Sequence, residues 1–208
     1  MSKSDKFWDS KAKGYAESPI SDELTYQKKL RETQATLSTG MQVLEFGCGT
    51  GTTAVYHAPY VQHIYAIDIS EKMIEIGRNK AREADIDNIT FSRGTLQEFN
   101  AKADSLDAVL GLNVIHLMED WQSAITEVAR ILKPGGVFVS STACIGHSYL
   151  RFIKLLAPIG KRLGLMPDVF VLTESTLLYE IKKAGFSIEK QWSHGKNGIS
   201  VFIIARKI

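Results

Sequence analysis

An α/β fold is what this sequence predicts: a doubly wound, mostly parallel seven-stranded sheet that finishes in an antiparallel hairpin. Three observations carry it. Short runs rich in Val, Ile and Phe alternate with helical patterns through the middle of the chain. Those runs are almost continuously apolar, as suits strands buried on both faces. A glycine-rich turn, in "VLEFGCGTGTTA" from Val43 to Ala54, directly follows the first of them.

The elements read in order as follows. The first forty residues are polar and helix-favouring, from "DKFWDSKAKGYAES" through "SDELTYQKKLRETQATLS", and stop at Gly40. "QVLEF" is a strand, followed by the glycine turn and the helical "TTAVYHAPY". "HIYAIDI" is the second strand, and "SEKMIEIGRNKAREAD" a helix that Ser70 can cap. "ITFSRG" and "LDAVLGLNV" are strands, "DWQSAITEVARIL" a helix and "GVFVSS" a further strand. "TLLYEIKKAGF" is a helix stopped by Gly185, and "SIEKQWSHGKNGISVFIIAR" gives two strands around a turn at "HGKNG". With 208 residues and no repeat or linker, one domain spanning 1–208 is expected. Its parts are 1–40, 41–141, 142–175 and 176–208.

Composition bounds the function. A net charge of +2 argues against general affinity for nucleic acid. Cys48 and Cys144 form no disulfide or zinc spacing, and the histidines share no ligand spacing, so no metal is expected. The first residues have no apolar leader, and no run approaches the roughly 18 apolar residues of a membrane span. A cytoplasmic location is the default.

The chemistry gathers at the glycine turn. Gly47, Gly49 and Gly51 permit positive φ and close approach of a ligand, and the following helix offers its free N–H groups. Asp68 closes the second strand and can reach the same edge, where a carboxylate accepts both hydroxyls of a ribose. Nicotinamide dinucleotides and S-adenosylmethionine both suit a glycine loop plus an acid. The dinucleotide fingerprint needs glycine where Thr52 stands. Glu45, two residues ahead of the first glycine, would oppose a pyrophosphate but tolerate an amine and a sulfonium.

On these residues the chain resembles the class I S-adenosylmethionine-dependent methyltransferases, in particular the small-molecule group related to quinone biosynthesis. "VLEFGCGTG" is similar to that family's first motif, "AIDIS" to its acidic ribose position, and "SLDAVLGLNVIHLMED" to its fourth-strand motif. "EVARILKPGGVFVSS" is similar to the helix, turn and strand that follow, and "FWDSKAKGYAE" to its opening helix. The resemblance implies methyl transfer from S-adenosylmethionine, leaving S-adenosylhomocysteine, to a small hydrophobic or amphipathic acceptor. It makes 1–40 a helical lid, 41–141 the cofactor-binding core, 142–175 an acceptor-side insertion and 176–208 the closing helix and hairpin.

Carried over residue by residue, it implies that Gly47, Cys48 and Gly49 lie along the methionine portion and Asp68 on the ribose. Ile69 to Met73 would flank the adenine, with Thr95 and Leu96 at its edge. The family often has Asp at the position of Thr95. Asn113 would sit near the methyl group, and Tyr15 would fold over the cofactor or serve as an ordinary packing tyrosine. His116 is the candidate general base, needed only for an acceptor that must lose a proton; otherwise it is surface or a substrate contact.

The segment "IGHSYLRFIKLLAPIGKRLGLMPDVFVL" stands where the family builds its acceptor pocket. Tyr149, Phe152, Ile153, Leu156 and Leu163 share one side, and Arg151, Lys154, Lys161 and Arg162 the other. Three readings stay open: a lid over the acceptor, a basic amphipathic surface on 149–163 that visits anionic membranes, and a packing cover or dimer contact. Two rival functions also stay open, a nicotinamide-dependent oxidoreductase and a non-catalytic binding module.

Overall fold

The computed structural model describes residues 3–147, 167–195 and 198–208. Two helices open it, α1 (Lys3–Glu17) and α2 (Glu23–Gln34). Then follow β1 (Gln42–Phe46), α3 (Thr52–His57), β2 (His63–Asp68), α4 (Glu71–Glu83), β3 (Ile89–Arg93), the short α5 (Leu96–Phe99) and β4 (Leu106–Leu112). The remaining elements are α6 (Trp121–Ile131), β5 (Leu132–Ala143), a helix α7 (Glu174–Lys183), β6 (Phe186–His194) and β7 (Ser200–Lys207). The readings made on 149–163 lie outside the described residues.

The seven strands form one sheet in the order β3-β2-β1-β4-β5-β7-β6. β1 runs parallel to β2 and β4, and β4 parallel to β5, while β7 is antiparallel to both β5 and β6. The predicted final hairpin is therefore present, with its second strand inserted against β5 and its first at the rim. Between β1 and β4 the strand order reverses, and a crevice opens there at the carboxyl ends of the strands.

Alternate strand residues feed two cores. One face buries Leu44, Phe46, Val109, Phe138 and Ile203 against α6 and α7. The other buries Val43, Ile64, Leu110, Val139 and Phe202 against α3 and α4. Helix α6 buries Trp121, Ala124, Ile125, Val128, Ala129 and Ile131, a spacing that lines one side of a 3.6-residue helix. Ser70 caps α4 as expected, its hydroxyl accepting the Met73 N–H at 3.2 Å.

One boundary differs from the sequence reading. β5 begins at Leu132, directly after α6, and pairs with Leu106 before the register jumps to Val137 opposite Ala108. "KPGG" is thus a bulge within a strand rather than a turn ahead of it. Pro134 has no N–H to lose there, and Gly135 takes φ 77°.

Candidate functional site

The glycine turn between β1 and α3 winds tightly because its three glycines have φ of 63°, 55° and 72° at Gly47, Gly49 and Gly51. A Cβ at Gly47 would collide with the Val114 side chain, so the backbone there is bare by necessity. The Cys48 N–H donates to the Ile67 carbonyl at 3.0 Å, tying the turn to β2. From the end of β2, Asp68 reaches across with Oδ2 accepting the Gly49 N–H at 3.0 Å. Its Oδ1 accepts the Ser70 N–H at 2.9 Å. Burial raises the Asp68 pKa above the ordinary carboxylate value, and these backbone donors pull it back.

Two cavities meet over this turn, sharing Tyr15, Gly47, Gly49, Leu112 and Asn113. The first, about 530 Å³, holds Asp68, Ile69, Met73, Thr95 and Leu96 together with Trp8 and Met118. The second, about 520 Å³, holds Glu45, Cys48, Tyr26, Lys29, Lys80 and His194. The first is a slot with acid at one wall and apolar side chains at the others. Polar groups dominate the second.

Thr95 caps α5 in a capping box: Oγ1 accepts the Glu98 N–H at 3.2 Å, and Glu98 Oε2 accepts the Thr95 N–H at 2.8 Å. One lone pair of its hydroxyl is therefore used locally. The Thr95 hydroxyl also interacts with the Glu98 carboxylate, so Thr95 serves first as the cap of α5.

Glu45 is 3% exposed, and its Oε2 has no hydrogen-bond partner among the described residues. Burial, with the nearby Asp68 carboxylate adding to it, pushes its pKa up to about 8. A buried acid whose Oε2 has no partner among the described residues suits a cationic group arriving from outside.

Helix α1 closes the first cavity. Asp9 Oδ1 accepts from the Ser70 hydroxyl at 2.6 Å and from the Lys72 N–H at 3.2 Å. Arg93 Nη2 pairs with Asp5 Oδ2 at 3.0 Å. Tyr15, at the end of α1, stands over Gly49, its Cε1 3.8 Å from where a Cβ would be.

Two expected site residues lie elsewhere. Gly51 lines neither cavity; a Cβ on it would sit 2.6 Å from Phe91 Cε1 and 3.0 Å from the Gly77 Cα, so its bareness serves packing of α3 and α4. His116 also lines neither. It is turned inward, Nδ1 facing the Ala143 N–H at 3.5 Å and its carbonyl accepting from Phe170 at 2.8 Å. Burial lowers its pKa to about 4.

Residues 43–136 match the family model described as a methyltransferase domain. Over that stretch the chain is similar to methyltransferase domains. The uncharacterized methyltransferase YcgJ of Bacillus subtilis is 35% identical over 98 residues, 47% of this chain and 39% of that protein. The demethylmenaquinone methyltransferase of Listeria welshimeri is 32% identical over 112 residues, 52% of this chain and 46% of the relative. The chain thus spans less than half the length of these curated relatives in the matched region. A solved geranyl diphosphate methyltransferase in complex with S-adenosylmethionine superposes with a TM-score of 0.73 at 16% identity, covering 88% of this chain and 85% of that one. At that identity the likeness speaks for the fold, which is the α/β methyltransferase fold. The residues the domain match leaves out include Trp8, Tyr15, Tyr26, Lys29 and His194. Trp8 and Tyr15 reach the cavities from α1, Tyr26 and Lys29 from α2 and His194 from β6, and the last three carry no local motif.

Proposed function

We propose that this protein transfers a methyl group from S-adenosylmethionine to a small amphipathic acceptor. The observation that carries the reading is the pair of cavities meeting at Gly47, Gly49 and Asn113, with Asp68 in one and, in the other, Glu45, whose Oε2 has no partner among the described residues. In this reading Asp68 takes the ribose hydroxyls, and Ile69, Met73, Thr95 and Leu96 flank the adenine. Glu45 faces the cationic methionine end, and Asn113 stands at the passage between nucleoside and acceptor.

S-adenosylmethionine supplies a methyl group already activated by the sulfonium. The chain's own task is to hold the acceptor in line with it and keep water out. Tyr15 and helix α1 cover the passage. The second cavity offers Pro19, Ile20 and Leu112 for an apolar body and Lys29, Tyr26 and His194 for a polar one. Relatives whose names specify demethylmenaquinone or a demethylrifamycin support an acceptor of that mixed character.

Calorimetric titration with S-adenosylmethionine, S-adenosylhomocysteine and NAD tests the assignment. Both methionine derivatives should bind, and Asp68→Ala should weaken S-adenosylhomocysteine by about tenfold or more, the loss of two charge-assisted hydrogen bonds. Tight NAD binding with no response to the other two would sink the reading.

A further inference from the structure

β5 and β6 are both antiparallel to β7, so they run in the same direction and their carboxyl ends lie on one rim. β4, parallel to β5, ends there as well. Each of these three strands brings one polar side chain to that rim. Asn113 follows β4, Ser141 lies near the end of β5, and His194 ends β6.

The three are linked. The Asn113 N–H donates to the Ser141 carbonyl at 2.7 Å, holding Asn113 at φ 59°. The Ser141 hydroxyl donates to Asn113 Oδ1 at 3.2 Å. That uses its single proton, so the contact of 3.2 Å between Ser141 Oγ and His194 Nε2 is made by the imidazole N–H. The chain of donors thereby selects the tautomer. Nε2 carries the proton, and Nδ1 is left with the lone pair. His194 and Asn113 both line the second cavity, and Asn113 lines the first as well.

We propose that His194 is the general base for methyl transfer to a protic acceptor, a hydroxyl, amine or thiol bound in the second cavity, oriented for that task through Ser141 by Asn113. The proposal rests on the methyl-transfer reading above. As the acceptor's lone pair forms its bond to the methyl carbon, the carbon–sulfur bond breaks and its electron pair returns to sulfur. The acceptor's proton passes to His194 Nδ1 and on to water, since the ring is only half-buried.

The charged and titratable groups in the ring's cavity come from several elements, Tyr15 of α1 and Cys48 of the glycine turn among them. Asp22, ahead of α2, favours the imidazolium, and Lys29 on α2 opposes it; Tyr26, Glu45 and Lys80 line the same cavity. Burial is the largest influence and brings the His194 pKa down to about 4, with Lys29 adding to it. The ring is therefore neutral at pH 7 and able to accept. His116, which lies outside the cavity, has no such access.

The test uses a probe that reports its own ionisation. The full-length protein saturated with S-adenosylhomocysteine is titrated with para-nitrophenol, whose absorbance separates phenol from phenolate. In the wild type, the neutral ring's Nδ1 accepts the probe's O–H and favours the phenol, so the apparent pKa of the bound probe should lie about one unit above that in His194→Gln, whose amide can donate to the phenolate. Gln keeps an N–H for Ser141, so folding is preserved. Ser141→Ala, which frees the ring from its tautomer, should give an intermediate value and a changed imidazole nitrogen NMR pattern. Equal shifts in wild type and His194→Gln, or no binding of the probe beside S-adenosylhomocysteine, overturn the assignment. Failure of S-adenosylhomocysteine itself to bind the wild type would instead overturn the methyl-transfer reading.

Discussion

With its carboxyl pKa held up to about 8, Glu45 is mostly protonated in the free protein at pH 7. A cationic ligand restores the anion, so binding releases a proton. Heats of S-adenosylmethionine binding should therefore differ between two buffers of unlike ionisation enthalpy. Affinity should climb by about tenfold per pH unit and level off above about 8. In the free protein the sign is opposite. The folded pKa lies above the unfolded one, so the contribution of Glu45 to stability is full below the unfolded value of 4.5 and is lost as pH rises to about 8. Glu45→Gln should remove that loss, seen as a higher Tm at alkaline pH, while weakening S-adenosylhomocysteine. His57 is a second cost of burial, with 0% exposure and neither ring nitrogen partnered among the described residues. Its pKa is lowered by burial to about 4, so stability present above the unfolded value of 6.5 is lost as pH falls through that window. His57→Leu should raise stability by about 1–3 kcal/mol, by removing orphaned polar atoms. Its denaturation midpoint should also resist acid better than that of the wild type, and an equal loss of midpoint in both would count against the argument.

At the scale of elements, α1 is held over the first cavity by few groups, and they are separable. Asp9 satisfies both the Ser70 hydroxyl and the Lys72 N–H, whereas the Asp5–Arg93 pair is partly open to water and is worth less. Asp9→Ala should speed amide hydrogen exchange across α1 and weaken S-adenosylhomocysteine by about fivefold, with global stability little changed. Unaltered exchange in α1 would show that the latch lies elsewhere. Much of this architecture is legible in the chain, because its cues are local. The Ser70 cap, the stop at Gly185 and the alternation of apolar runs with helices each depend on neighbouring residues. What is not legible arises from distance. Gly51 looks like its two companions, and only Phe91 and Gly77, brought in from β3 and α4, give it a packing role. His116 sits in a fourth-strand motif, yet the turn after β4 carries it inward against β5. His194 has no motif at all, and reaches the cavity only because β7 turns β6 back to the same rim.

For the whole molecule, the second cavity draws its walls from both halves of the chain, with α2 on one side and the β6–β7 hairpin on the other. The two are joined directly: Trp192 Nε1 donates to Glu32 Oε2 at 2.8 Å, and Lys28 Nζ lies 3.9 Å from the centre of the Trp192 ring. β7 binds the arrangement together, since β6 has no place in the sheet without it. A chain ending at Gly198 should therefore lose cooperative thermal unfolding and become sensitive to protease, β6 having no partner and β5 an open edge. Retention of a single sharp transition would contradict this. The same strand order sets a timetable for synthesis. Everything through β5 can leave the ribosome and begin to pair while β6 hangs without a neighbour. His194 cannot take its place at the rim until residues 200–207 have followed it out and threaded between the two strands. The parts that bind a nucleoside are thus available to the growing chain well before the parts that would choose its acceptor.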